Sequence, residues 1–371
     1  MPRIVEVGSG SGKISFKAAI NQLEADDLLL LSPGFYELPQ GAMLSDVTIK
    51  GTGTSPEDTT IFGFMLSNPD SRYVTLENIC INPQGDKNVY LVPDQADTYV
   101  TFRNCVLKGN NSATAAIAVN GKVTLELYST RVYGGSVSLF KSSDFRLEMA
   151  DSLIDYQADR YSALALEGHG TAIINNSQVK GSINTFPTSN VELNVNNTEC
   201  NFMLLDGSTW CNTFHSRFTR DVDLCVSAQG ESYVNLMNSF VQGGVHFTGK
   251  ARSIMQNTTM HRLFLMEEAR VSDTGSEIFG QLVAQDQANA KFIRTKFIGV
   301  SPEMYLLSVN DDATVFGRDI TLETHFSKLH ASGSCNWKMN FLATDSPEVA
   351  LDVENDPQIQ FFGVKLTKNY L

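Results

Sequence analysis

At 371 residues the chain exceeds the usual size of a single hydrophobic core, so two domains are expected unless a repeat architecture lifts that limit. It is 42% hydrophobic, yet no apolar run approaches the roughly 20 residues needed to cross a bilayer, and no membrane span is expected. A formal net charge of −13 argues against sequence-independent nucleic-acid binding, which rests on basic phosphate contacts, and against acidic polymers unless a local basic patch or bridging cations intervene.

The opening residues, Met-Pro-Arg-Ile-Val-Glu-Val-Gly, lack the charged start, apolar core and small-residue cleavage site of a secretory signal, so either any export is unassisted or the sequence has been trimmed. Phe16, Ala19, Ile20 and Leu23 follow at helical spacing, then an apolar run Leu28–Leu31 that looks buried, and a Pro33-Gly34 turn. Residues 1–45 therefore read as a cap in which a short amphipathic helix shields the first strand edges, with the main body over 46–371.

The phrases Phe16-Lys-Ala-Ala-Ile-Asn, Asp27-Leu-Leu-Leu-Leu-Ser-Pro-Gly-Phe-Tyr36 and Val47-Thr-Ile-Lys-Gly-Thr-Gly53 resemble the opening of pectin-lyase-like proteins, pectinesterases in particular. Val74-Thr-Leu-Glu-Asn-Ile-Cys-Ile81 continues the same idiom, so the likeness extends by phrase over residues 1–110 and beyond that only by repeat. It implies a right-handed parallel β-helix and, for many members of that superfamily, action on or binding of polysaccharide. The reaction stays open, because this fold carries lyases, hydrolases, esterases and adhesins alike.

From Asn78 onward the phrase polar-Ser/Thr-x-apolar-x-Gly recurs, most clearly as Asn176-Ser-Gln-Val-Lys-Gly181 and Asn238-Ser-Phe-Val-Gln-Gly243. Its first position falls at Asn78, Asn104, Ser129, Asp151, Asn176, Asn197, His215, Asn238, Asn257, Gly275, Arg294, Asp319 and Asn340, with gaps of 18 to 26 and a mean near 22. Three residues on, every position is apolar, from Ile81, Leu107 and Val132 to Phe297, Leu322 and Ala343. One residue on, Ser or Thr runs unbroken from Thr130 to Thr295, on the same side of a strand as the apolar position. Asn, Asp and Ser at the first position fit a bend with left-handed geometry.

A unit of this size, which cannot bury its apolar side alone, is one coil of a β-solenoid, and stacked coils make a continuous core. The expected fold is all-β: a single right-handed parallel β-helix of roughly 13 to 15 coils of about 22 residues, ending in a last strand and tail over Ile359–Leu371. The Leu-x-x-Leu-x-Leu-x-x-Asn pattern of leucine-rich repeats is absent, and a propeller needs blades of about 40 residues.

Residues two and four after each bend share an outward face, and there the ionisable candidates lie. If this face is a groove, Asp155 or Glu199 serves as acid or base, and Arg131, Lys180 and Arg217 hold a carboxylate or oxyanion. Tyr133 and Gln178 line it as substrate contacts. Stacking of uninterrupted coils would put Asp155 and Glu199 about 10 Å apart, near or just beyond the ~6.5–9.5 Å of inverting glycosidases. Opposite charges pairing across coils on a solvated face explain the same residues without catalysis.

Gly168-His169-Gly170 matches one of the short motifs of polygalacturonases, without the rest, so His169 is a substrate-contact candidate or an ordinary turn residue. The motifs of pectinesterases are not intact either. Asp155 to Tyr161 lengthens its coil, and long loops carry function or are tolerated insertions. Asp311-Asp312 and Asp352 with Asp356 lack the spacing of a calcium loop, and no metal or other cofactor is implied. The six cysteines show no CxxC pairs and read as reduced buried thiols, which suits the cytoplasm or a non-classical export route.

Two functions follow. A non-catalytic β-helix would bind a polysaccharide or protein partner along its outer face, whereas a polysaccharide-modifying enzyme would gather Asp155, Glu199, Arg131 and Arg217 in one groove. Missing family motifs and the negative charge favour the first.

Overall fold

The computed structural model describes residues 3–370 apart from 86, 112–113, 158–161, 221–223, 324–327 and 347, and gives the backbone alone for 141–143 and 370. It separates into two compact units, Met1–Asn194 and Val195–Leu371. Both are parallel β-solenoids, in which each strand hydrogen-bonds to its counterparts one coil before and one coil after.

In the first unit a coil holds three strands. Asp97–Arg103 pairs with Tyr73–Glu77 and Lys122–Tyr128. Val106–Lys108 pairs with Cys80–Asn82 and Arg131–Tyr133, and Tyr90–Val92 with Met65–Ser67 and Ile117–Val119. Lys122–Tyr128 shows why these segments are strands: Val123, Leu125 and Leu127 are buried while Lys122, Thr124, Glu126 and Tyr128 alternate outward. Neighbouring strands merge in places, as in Val137–Ala150 of the first unit and Phe240–Phe247 of the second. Phe240–Phe247 pairs with both Arg217–Phe218 and Leu224–Ala228, with a register shift between Val241 and Gly244 against the next coil.

The bend between the first two strands has one geometry throughout. Of the thirteen first positions, twelve have φ between 47° and 74°, including His215, Arg294 and Gly275. That region costs ordinary L-residues about 1–2 kcal/mol and suits Asn, Asp and Gly best. The next residue turns its hydroxyl inward, and the backbone N–H of one coil donates to the hydroxyl of the next. Thr130 N–H reaches Ser152 Oγ at 2.9 Å, Ser152 N–H reaches Ser177 Oγ at 3.1 Å, and Thr258 N–H reaches Ser276 Oγ at 3.0 Å. Most of these hydroxyls in turn donate to the carbonyl two residues earlier, as Ser152 does to Ala150 O at 2.8 Å. Cys105 occupies this position and its thiol donates in the same way, to Arg103 O and Leu76 O.

Two residues further the apolar side chains stack. Ile81, Leu107, Val132, Ile154 and Val179 are register partners in the first unit, and Cys200, Phe218, Val241, Met260, Ile278, Phe297 and Leu322 in the second. All are at most 1% exposed. At roughly 1.5–3 kcal/mol for each large side chain withdrawn from water, this column is a main source of cohesion between coils. Gly181, at the end of the recurring phrase, is required by crowding: a Cβ there would lie 2.4 Å from the Tyr156 carbonyl oxygen.

Two expectations need correction. Asn340 is not a bend but lies inside the strand Asn336–Thr344, where the register slips so that Ile320 faces Phe341 and Leu322 faces Thr344. Side chains alternate along a strand, so the slip turns Phe341 inward and leaves Ala343 exposed. The run Leu28–Leu31 is not wholly buried either: Leu29 and Leu31 point inward, and Leu28 and Leu30 are half-exposed.

At the N-terminus the helix Phe16–Asn21 buries Phe16, Ala19 and Ile20, and Ser15 caps it by accepting from Ala18 N–H at 3.2 Å. Leu23 lies beyond its end. The C-terminal segment is two strands, Gln358–Phe362 and Lys365–Tyr370, rather than one. Among the described residues no helix is long and apolar enough to cross a membrane.

Candidate functional site

Arg131 and Asp155 belong to the first unit, on neighbouring coils but in different columns. Arg131 is in register with Leu153 and then Gln178, and Tyr133 with Asp155 and then Lys180. The Lys180 ammonium is 3.3 Å from Asp155 Oδ2, so this carboxylate already has a cation. Tyr133 is half-buried beside it, while Arg131 and Gln178 are exposed. His169 is exposed and in register with Asp144, on the strand before the bend rather than on the face of the other candidates.

Glu199 and Arg217 belong to the second unit and are register partners. Thr219 Oγ1 donates to Glu199 Oε1 at 3.2 Å. The Arg217 guanidinium lies over the Phe240 ring, 4.9 Å from its centroid, a cation–π contact with the next coil. The candidates thus engage neighbours on their own face, in two separate local pairings. Of the loop from Asp155 to Tyr161, residues 158–161 lie outside the described residues.

A denser polar constellation, which spacing alone did not disclose, sits on the outward side of the second unit. Ser308, His330, Asp352 and Asn369 are successive register partners. Ser308 Oγ is 3.2 Å from His330 Nδ1, and His330 Nε2 is 3.6 Å from Glu354 Oε1. The Tyr305 ring packs 4.8 Å from the His330 ring, and its hydroxyl donates to Asp352 Oδ2 at 3.0 Å. Burial by itself would raise the Asp352 carboxyl. Hydrogen bonds from Asn369 and Tyr305, with the charge of Lys328, instead hold it below the usual carboxylate range, while burial and Asp352 push the Tyr305 phenol up. Asn310 Oδ1 accepts from Ser332 Oγ at 3.0 Å and lies 3.3 Å from Ser308 Oγ, tying the cluster to the adjoining turn.

A second missed feature is the face that precedes the bend. Trp210 and Tyr233 are register partners whose rings stack at 4.3 Å, and Trp210 is 50% exposed. Two residues along the same strands, Asn235 Nδ2 donates to Asn212 Oδ1 at 2.6 Å, and Trp210 Nε1 donates to the same oxygen at 3.3 Å. The signal was present in the repeat, because each of these rings stands five residues before a left-handed bend, at His215 and Asn238.

Of the acidic groups weighed for calcium, Asp311, Asp312 and Asp352 are engaged with protein. Asp312 Oδ1 accepts from Ser334 Oγ at 2.5 Å, and Asp311 Oδ2 from Asp286 N–H at 3.3 Å. Among the described residues no three His, Cys, Asp or Glu side chains converge as metal ligands. All six cysteines are buried thiols outside any disulfide, and burial raises those of Cys105 and Cys335, to about 12 and about 11. No protein-family model matches the chain, and the search of curated proteins returns no significant relative.

Proposed function

We propose that the protein is a right-handed, pectin-lyase-like β-helix that binds a polysaccharide along an outer sheet face without transforming it. The exposed Trp210–Tyr233 stack, braced by the neighbouring Asn212–Asn235 amide pair, carries this reading. Aromatic faces accept the apolar face of a sugar ring, and the indole N–H donated to Asn212 fixes the Trp210 ring in place for that contact. A rigid comb of strands about 4.8 Å apart presents such groups at regular intervals and loses little entropy on binding. A protein partner would call for a more continuous apolar centre than this polar, aromatic surface offers. The pairing of Asp155 with Lys180, and of Arg217 with Phe240, supports a structural role for those residues. The helix Phe16–Asn21, whose apolar side is buried, acts as the cap of the first coil.

A second reading, a polysaccharide-modifying enzyme, has the Ser308–His330–Glu354 line in its favour, since a hydroxyl beside an imidazole that meets a carboxylate is the pattern of an activated nucleophile. Ser308 is only 6% exposed, however, and Asn310 competes for its hydroxyl. A glycan array combined with reducing-end, unsaturated-product and ester-release assays on the purified protein separates the two. Binding without product is expected. New product abolished by His330→Ala would replace the first reading with the second.

A further inference from the structure

The face that bears Trp210 and Tyr233 continues through the second unit as a strip of cations. Five residues before each bend, in unbroken register, stand Trp210, Tyr233, Arg252, Arg270, Asn289 and Thr314. Two residues along the same strands lies a parallel column that includes Lys291, Phe316 and Lys338. Over the strands from Trp210–Phe214 to Gln358–Phe362, counting each only as far as this sheet extends, no outward position carries a carboxylate. The one acid among them, Asp273, points into the core and is fully buried. This is a marked local inversion in a chain whose formal net charge is −13.

The cations are also uncompensated. Arg252, Arg270, Lys291 and Lys338 are exposed and make no ion pair among the described residues. Arg252 and Arg270 are direct register partners, and like charges directly opposite on adjacent strands destabilise a sheet. The corresponding face of the first unit is built otherwise. There Lys50 pairs with Glu77 at 2.6 Å, Lys122 with Asp97 at 2.9 Å, and Arg146 with Glu148. The first unit pairs these opposite charges across or along its strands, whereas in the second Arg252, Arg270, Lys291 and Lys338 stand without an ion pair among the described residues, beside an aromatic stack. Carboxylates flank the strip at one end: Glu231, Glu268 and Asp312 lie in the turns two residues before Tyr233, Arg270 and Thr314, so the excess of positive charge is confined to the strands themselves.

We infer that this strip selects an anionic polysaccharide, one bearing carboxylate or sulfate groups, with Trp210 and Tyr233 as its stacking platform and Arg252, Arg270, Lys291 and Lys338 as its charge contacts. The inference rests on the glycan-binding reading above and narrows it to a chemical class. Arginine suits the role because its planar fork meets carboxylate and sulfate oxygens two at a time. The local strip answers the repulsion expected between an acidic protein and an acidic polymer, because beyond a Debye length of about 10 Å at 0.1 M salt the rest of the protein's charge is screened.

The experiment compares alginate, dextran sulfate, neutral dextran and a single-stranded RNA homopolymer for binding to the full chain, at low and at physiological salt. The inference expects alginate or dextran sulfate to bind at least about tenfold more tightly than dextran, with affinity falling as salt rises. Which of the two binds better identifies the anion as carboxylate or sulfate. The R252Q/R270Q/K291Q variant should lose at least about tenfold in affinity while keeping its thermal midpoint, and R252K/R270K should retain most of it; one factor of ten corresponds to 1.4 kcal/mol. W210A should weaken every glycan. Equal binding of dextran and alginate, unaffected by the triple variant, would overturn the inference and leave the glycan reading standing. Failure to bind any of the three glycans would overturn both, and a preference for RNA over every glycan would overturn the choice of partner.

Discussion

Lys180 and Asp155 stand on adjacent coils of the first unit with Nζ 3.3 Å from Oδ2, at 44% and 29% side-chain exposure. A pair so accessible to water contributes little to folding. Lys180→Met and Asp155→Asn should each change the unfolding free energy by less than about 1 kcal/mol, with a coupling of at most about 0.5 kcal/mol in a double-mutant cycle read by urea denaturation. A coupling several times larger, or lost glycan binding in either variant, would assign the pair a role beyond charge pairing.

The bend residues should rank by their tolerance of left-handed backbone. Asn238 has φ 48°, and Gly275 fills the equivalent position at φ 74°. Asn238→Gly is expected to be nearly neutral, while Asn238→Val should cost about 1–2 kcal/mol or more. Thermal melting of both variants measures the difference, and equal midpoints would mean that the bend is not conformationally selective.

Ser216 holds three backbone groups of neighbouring strands. It accepts from Thr198 N–H at 3.3 Å and donates to Val195 O at 2.9 Å and Phe214 O at 3.1 Å. Ser216→Ala removes this hydroxyl and should destabilise by about 1–3 kcal/mol, because buried polar groups lose their partner. Ser216→Thr keeps the hydroxyl and should recover most of the loss in the same denaturation assay.

Asp273 lies among the inward side chains, in register with Met255 and Phe292. Burial pushes its carboxyl up, against hydrogen bonds from Ser276 and Thr295 that favour the ionised form. A carboxyl that keeps its proton longer when folded than when unfolded lowers stability as pH rises from its unfolded value through its folded one. Asp273→Asn removes that loss, so its advantage over the parent should grow between pH 4 and pH 7. A pH-independent difference in melting temperature would show that Asp273 titrates alike in both states. Asp27, Asp46 and Asp352 act in the opposite sense, since their lowered values confer stability that fades as the pH falls.

Much of this architecture is legible in the chain because a bend, a hydroxyl and an apolar residue recur at fixed offsets, as in Asn176, Ser177 and Val179. Those offsets are local, so loops of varying length elsewhere in the coil do not disturb them. Ala343 escaped the rule because the register slip before it is decided by packing around Ile320 and Phe341, which the phrase does not encode. The Trp210 face precedes the bend, where the outward residues vary from coil to coil and carry no shared residue type, although the distance from Trp210 to His215 is as regular as any other. The Ser308–His330–Glu354 line depends on alignment across coils of unequal length, and no short motif marks it.

The sameness of the corners has a consequence for folding. A growing stack offers the incoming chain many nearly equivalent seats: displaced by one whole turn, Ser239 would meet the position of Ser216, and Val241 that of Phe218, with the same hydrogen bonds within reach. Fidelity therefore falls to the exceptions. A lone acid at Asp273 and coils of unequal length fit poorly in any seat but their own, and it is these misfits that number the turns.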